Sequence, residues 1–355
     1  MTIIRALEVG FGSTSMVTGV NEDGTPEILT YSSNVSQVDP TKRDLSAGLN
    51  NRNTVRVDIN DSKYEIGIDA SLSSDKNAGR VLNSKYVTSD QYQALLFGSL
   101  VYMGSERIDL LVLALPVENW HRRDELKKLV IGNHTINGKT YEVCDCWVIV
   151  QPMGGLLAHA TNNGQEAFLE MREQNILSLD PGFGTFDFLF SRGLVLNDSR
   201  SGGVELGMSA VLSSVARVLK MAFPDLDSIP LEQIDEAFWK HKNHIRISGR
   251  KYPFPVCNGK DLDGKDVSIK FDVRSAIHSV TSSAMTATVN KVGSGGDVDL
   301  ILLMGGPFEV FLPAVKEAFP THNVVVVDSP ATAICIGMYY GGLQYYKATK
   351  NKKVA

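Results

Sequence analysis

Apolar residues recur along this chain with two different spacings, and the changes between them mark out its elements. Period-two alternation predicts strands. It runs over Ile3–Val9 and resumes at Met16–Val20. It also places Leu177 and Leu179 before a turn, and Phe186, Phe188 and Phe190 after it. Unbroken apolar runs at Asp109–Pro116, Trp147–Val150 and Asp299–Met304 predict strands buried on both faces, the first stopped by its proline. Val324–Val327 adds one more. Helical spacing appears at Ala94, Leu95, Leu100 and Val101, and over 209–223, where Val211, Leu212, Val215, Val218 and Leu219 oppose Ser213, Ser214, Arg217 and Lys220. Further helices are expected over Met153–His159, from about Arg274, over Val310–Phe319 and after Pro330, a residue suited to a helix N-terminus.

Two stretches lack this order. Residues 31–94 are polar, with short strand-like pieces at Thr54–Val57 and Lys63–Gly67. Residues 224–294 hold Pro253, Pro255 and a charged turn at Asp261–Lys265. Both read as small subdomains inserted into a larger α/β framework. The expected division is 1–150 and 151–330, with insertions at about 31–94 and 203–294, and a final helix, 331–355, that returns to the first half.

The turn at Asp180-Pro181-Gly182-Phe183-Gly184-Thr185 joins two of these strands. Alone it is an ordinary Asp-Pro-Gly turn. A second copy changes its weight: Glu8-Val9-Gly10-Phe11-Gly12-Ser13-Thr14 follows the same plan of strand, acid, glycines, hydroxyls and strand. Glycines let backbone N–H groups approach a phosphate, and a nearby carboxylate meets phosphates through Mg²⁺ or water. Two copies of one device suggest an internally duplicated fold.

Composition narrows the field further. Of 355 residues, 43% are hydrophobic and 21% charged, and the net charge of −5 carries no basic cluster, so a broad nucleic-acid-binding face is not expected. Cys144, Cys146, Cys257 and Cys335 include no second pair at zinc spacing and read as reduced thiols of a cytoplasmic protein. The first residues look like a strand, not a leader peptide, and no apolar run is long enough to cross a bilayer. His241 and His244 have metal-ligand spacing without further ligands, and read as surface histidines. Trp120, His121, Arg122 and Arg123 are expected to start a surface helix or, equally, to lie in a contact between copies of the chain.

Five segments stand in a fixed order: Glu8–Thr14, Gln151-Pro152, Asp180–Asp187, Met304-Gly305-Gly306 and Ser329–Gly337. That order resembles the actin-like ATPase superfamily, and within it the chain is most similar to the plasmid-segregation actins of the ParM/StbA group. Leu113–Pro116, Gln151–Gly154, Leu206-Gly207 and Gly337-Met338-Tyr339 share in the likeness. The resemblance implies a bilobal fold of two duplicated ribonuclease-H-like domains, each with an inserted subdomain.

It also implies roles. Gly10, Gly12, Ser13 and Thr14 would bind the β-phosphate of ATP, with GTP left open, and Gly182, Gly184 and Thr185 the γ-phosphate. Asp180 and Glu8 would hold Mg²⁺ through water, and Asp180 with Gln151 would act on the attacking water, although Gln151 also reads simply as a hinge residue. Gly305 and Gly306 would pass close to the adenosine, with Gly207 and Glu205 opposite; Glu205 also reads as a solvated acid near a helix start. Glu8 stands where the family usually has aspartate, and Ser15 where eukaryotic actin has lysine. The implied activity is ATP hydrolysis coupled to polymerisation of the chain with itself. The implied partner is a DNA-binding adaptor on a centromere-like plasmid site, with neither direct nucleic-acid nor membrane contact. A small-molecule kinase of the same superfold, or a phage or cell-shape filament, are the alternatives.

Overall fold

The computed structural model describes residues 2–38, 52–72, 86–256, 259–260, 266–267 and 271–354. Cys257 and the turn at Asp261–Lys265 lie outside them, as do parts of both expected insertions.

Two sheets share one plan. In the first, β1 (Ile4–Val9), β2 (Ser13–Val20), β3 (Pro26–Ser32), β4 (Leu110–Leu115) and β5 (Cys146–Val150) lie in the order β5-β4-β1-β2-β3. In the second, β6 (Asn175–Pro181), β7 (Phe186–Arg192), β8 (Val195–Leu196), β10 (Leu300–Leu303) and β11 (Val324–Val326) lie in the order β8-β7-β6-β10-β11. A sixth strand, β9 (Gly202–Val204), pairs with the start of β7. In both sheets the first two connections are antiparallel and the last strands parallel. The duplication expected from the twin motifs is therefore present in the topology.

Alternation decides what each face meets. Leu177, Leu179, Phe186, Phe188 and Phe190 enter one apolar core, together with α3 (Met208–Ala222) and α4 (Val273–Val292). Ser214, expected on the polar face of α3, is buried, because neighbouring helices widen the covered stripe. In β1, Leu7 and Val9 face a second core with α1 (Asp90–Tyr102) and the three-stranded sheet of Ser36–Gln37, Val55–Ile59 and Ser62–Ile66. Tyr31 and Ser32 still belong to β3, so the first insertion begins after them.

The opposite faces share a third core. There α2 (Gln151–Asn162) leaves the first sheet and packs on β6 and β7, while α6 (Ala333–Val354) leaves the second sheet and packs on β1 and β4. Each sheet thus hands its chain to a helix that lies against the other. The last helix begins at Ala333, so Pro330 sits in the turn before it and not at its first residue. Among the described residues, no helix is long and apolar enough to cross a membrane.

Candidate nucleotide site

The two twin turns face each other at the seam between the sheets. Each closes in the same way: the Gly10 amide donates to the Ser13 carbonyl at 3.0 Å, and the Gly182 amide to the Thr185 carbonyl at 2.8 Å. Their tips interlock. A methyl group on Gly12 would stand 2.6 Å from Cβ of Phe183, and one on Gly184 would stand 2.8 Å from Cδ2 of Phe11. Glycine is required at both positions by this reciprocal approach. The amides of Phe11, Gly12 and Gly184 donate to no protein acceptor among the described residues. Unspent N–H groups clustered on facing turns form a concave donor surface suited to an anion.

The first turn is braced from behind. The Gly10 carbonyl accepts from the hydroxyls of Ser33 (2.6 Å) and Tyr86 (3.2 Å), and the Tyr86 ring stacks on Phe11. Thr14 departs from the expected phosphate role of its side chain. It is fully buried, with its hydroxyl 3.0 Å from that of Ser33. The strand resumes at Ser13, so alternation turns Thr14 inward and leaves Ser13 exposed. The second turn is held by the start of α3: the amides of Gly207, Met208 and Ser209 donate to the carbonyls of Gly184, Gly182 and Phe183. Gly207 therefore positions the turn directly. Glu205 is exposed, three residues before the helix.

Carboxylates gather beneath the turns. Glu8 and Asp180 share strand parity with residues of the third core, so both point to the seam. Asp180 is 5% exposed and accepts no hydrogen bond among the described residues. Burial, then the charges of Glu8 and Asp187, push its carboxyl well above the usual range. Burial raises Glu8 to about 7. Asp187, the register partner of Asp180, is raised by burial to about 6, against hydrogen bonds from Thr185 and Val117 that favour its charged form.

Asp187 was not singled out by its motif, yet it ties the halves together. Its Oδ1 accepts from the Val117 amide at 2.9 Å, and its Oδ2 from the Thr185 hydroxyl at 2.6 Å. Next to it, Glu118 reaches back to accept from the Gly203 amide at 3.1 Å. Two carboxylates thus cross the seam in opposite directions. Gln151 opens α2 and is buried, with no partner for its amide among the described residues. Gly305, at φ +87°, lies on the carboxylate: a methyl there would stand 2.6 Å from Asp180 Oδ1 and 2.4 Å from the Pro181 carbonyl oxygen. Gly306 follows and is exposed. Glu8, Gln151, Asp180, both turns and Gly305 are brought together; Glu205 remains in solvent and the Thr14 side chain is turned away.

Acids with raised folded-state values hold extra protons in the fold, so folding stability falls as pH rises through them. For Glu8 the window runs from its ordinary value of 4.5 to about 7. The ligand-free protein should lose up to about 2 kcal/mol between pH 5.5 and 8 through Glu8, an upper figure because Glu8 keeps some surface in the cleft. Thermal melts across that range should show the decline, and Glu8→Gln should flatten it. A profile unchanged by the substitution would remove Glu8 as its source.

Residues 6–154 match the family described as the N-terminal domain of actin-like proteins. A ParM filament structure from Clostridium botulinum is 18% identical, with a TM-score of 0.73 over 97% of this chain and 100% of that one. The fold is actin-like. An archaeal actin homologue in complex with ADP is 14% identical, with a TM-score of 0.70 over 97% of this chain and 100% of its own. The actin-like protein Alp7A is 15% identical, with a TM-score of 0.68 over 99% of each chain. No curated protein sequence matches the chain. The actin-like likeness spans both sheets, the two seam helices and the paired turns.

Proposed function

We propose that this chain is a nucleotide-driven filament protein of the cytoplasm that binds ATP with Mg²⁺ between its paired turns and hydrolyses it. One observation carries this reading: two Gly-Phe-Gly-hydroxyl turns, related by duplication, interlock above buried acids. In this reading Gly10, Gly12 and Ser13 cradle one phosphate and Gly182, Gly184 and Thr185 the next. Thr14 braces from within.

The acids suit a divalent cation. Glu8, Asp180 and Asp187 are raised by burial, and no basic group contributes to the state of Glu8 or Asp180. Among the described residues, no three acid, histidine or cysteine side chains form a cage. That suits Mg²⁺, which keeps several waters and binds through one or two carboxylates and phosphate oxygens. Glu8 and Asp180 would hold it, and when bound it supplies the positive charge that phosphoryl transfer needs. In this reading Gln151 orients the attacking water with its free amide, and Asp180 takes up a proton from it.

One structure of similar fold is a ParM filament, and a head-to-tail contact that does not close gives an open helix. By the same likeness the filament would move plasmid copies through a DNA-binding adaptor, with no direct nucleic-acid contact.

Sedimentation and light scattering test the core of this proposal. Polymer should form with ATP and Mg²⁺ and be absent in buffer alone. Persistent monomers at high protein concentration would refute the filament reading.

A further inference from the structure

Past the Gly305–Gly306 turn, an indole stands in solvent. Trp239 ends the helix Leu231–Trp239 and is 66% exposed, the only aromatic among the exposed large apolar residues of the described chain. A large apolar ring with a polar N–H suits a partner that covers its face. Its position is specific. A methyl group on Gly306 would stand 3.9 Å from Cζ2 of Trp239, in ordinary van der Waals contact. Gly305, one residue earlier, lies on Asp180 Oδ1. Asp180, Gly305, Gly306 and Trp239 therefore form one continuous wall, with bare backbone between carboxylate and ring.

The helix end that carries the ring is anchored by its neighbours. Behind it the amides of Lys240, His241 and Lys242 return to the carbonyls of Glu236, Phe238 and Ala237, and both lysine side chains meet Glu236. His241 Nδ1 also lies 3.9 Å from Glu309 on the helix Phe308–Ala318, which follows Gly306.

We infer that Trp239 is the platform on which the base of the bound nucleotide stacks. This rests on the nucleotide reading above: with the phosphates at the paired turns, the nucleoside extends along the glycine wall and its base reaches the indole. Gly306 leaves room for a flat group, and stacking tolerates any base because every base has a π-face.

The test uses the full chain, three ligands and two variants. Wild type, Trp239→Phe and Trp239→Ala are titrated by calorimetry with ADP, ATP and inorganic tripolyphosphate, all with Mg²⁺. Trp239→Ala should weaken ADP and ATP binding about tenfold, the low to middle range of a base–aromatic stack. It should leave tripolyphosphate binding unchanged, because that ligand has no base. Trp239→Phe, which keeps a π-face, should stay within about threefold. Wild-type tryptophan fluorescence should change on ADP addition, and Trp239→Phe should abolish that change, since Trp120 and Trp147 remain as controls.

Wild-type ADP affinity in Trp239→Ala would overturn the inference and leave the nucleotide reading intact. Normal ADP binding with loss of ATP-dependent sedimentation would also overturn it, and assign the indole to a contact between copies. A wild-type chain that binds tripolyphosphate as tightly as ATP would show that no platform exists. Failure of the wild type to bind any of the three would overturn the nucleotide reading and this inference together.

Discussion

Asp180→Asn should bind ATP yet release phosphate at least about a hundredfold more slowly than wild type, the low end of what positioned acid–base groups contribute. Asp180 is the buried acid most exposed to like charge: Glu8 and Asp187 both raise it, and no hydrogen bond offsets them. Such an arrangement costs the fold energy, so it is expected to serve chemistry. Asparagine keeps the shape against Gly305 but removes the charge that would hold a hydrated cation and take a proton. The same change relieves repulsion, so the ligand-free variant should melt no lower than wild type. The paired outcome is diagnostic, because a purely structural carboxylate would lose stability and leave the rate alone. A fluorescent-nucleotide titration, a phosphate-release assay and a melt read the three quantities. Wild-type phosphate release would remove Asp180 from the mechanism.

Much of this site can be read from residue order alone. Alternation sends Leu177, Leu179 and the three phenylalanines of β7 to one core. It therefore turns Asp180 to the other face, and the same parity turns Glu8. The twin turns are legible because glycine and hydroxyl spacing is local. What is not legible depends on long reach. Asp187 meets Val117 across 70 residues, and Gly203 meets Glu118 across 85. No local pattern announces either pair. Thr14 shows a finer limit: the strand expected from Met16 already begins at Ser13, so Thr14 lies inside the pleat and its side chain is buried. No strand is expected between Pro116 and Trp147, yet Gly132–Ile136 and Lys139–Val143 pair there. Asn137-Gly138 turns that hairpin with positive φ at both residues, a strong two-residue signal that carries no chemistry and is easily passed over.

The reciprocal carboxylate straps and the interlocked phenylalanines place every contact between the paired turns under the control of how the two sheets sit. That geometry is set at the crossing of α2 and α6, the most extensive contact between any two elements among the described residues. A ligand at the turns and a shift at this crossing would therefore act on one coordinate, as in other two-lobed proteins that close around a substrate.

Gly337→Ala should strike that crossing hardest. The added methyl would stand 1.8 Å from the Gly154 carbonyl oxygen and 2.6 Å from the Ala158 amide nitrogen, both backbone atoms of α2. No rotamer change removes a clash with backbone, so the helices must separate or the fold must loosen. A cost of at least about 3 kcal/mol is expected, at or beyond the top of ordinary overpacking, which in a chain of this size lowers the melting temperature by about 4 °C or more. Gly341→Ala, one turn further along the same helix, provides the contrast. Its methyl would meet Cδ1 of Leu157 at 2.7 Å and the Trp147 ring at 3.2 Å, and the leucine tip can swing aside. The gain of about 1 kcal/mol in helix propensity offsets that adjustment, so its melt should stay within about 1 °C of wild type. Because Gln151 lies three residues before Gly154 on α2, any folded fraction of Gly337→Ala should also show altered phosphate release, while Gly341→Ala should not. Equal melts for the two variants would mean that the crossing yields, and that the sheets are held at their angle by the straps at the turns instead.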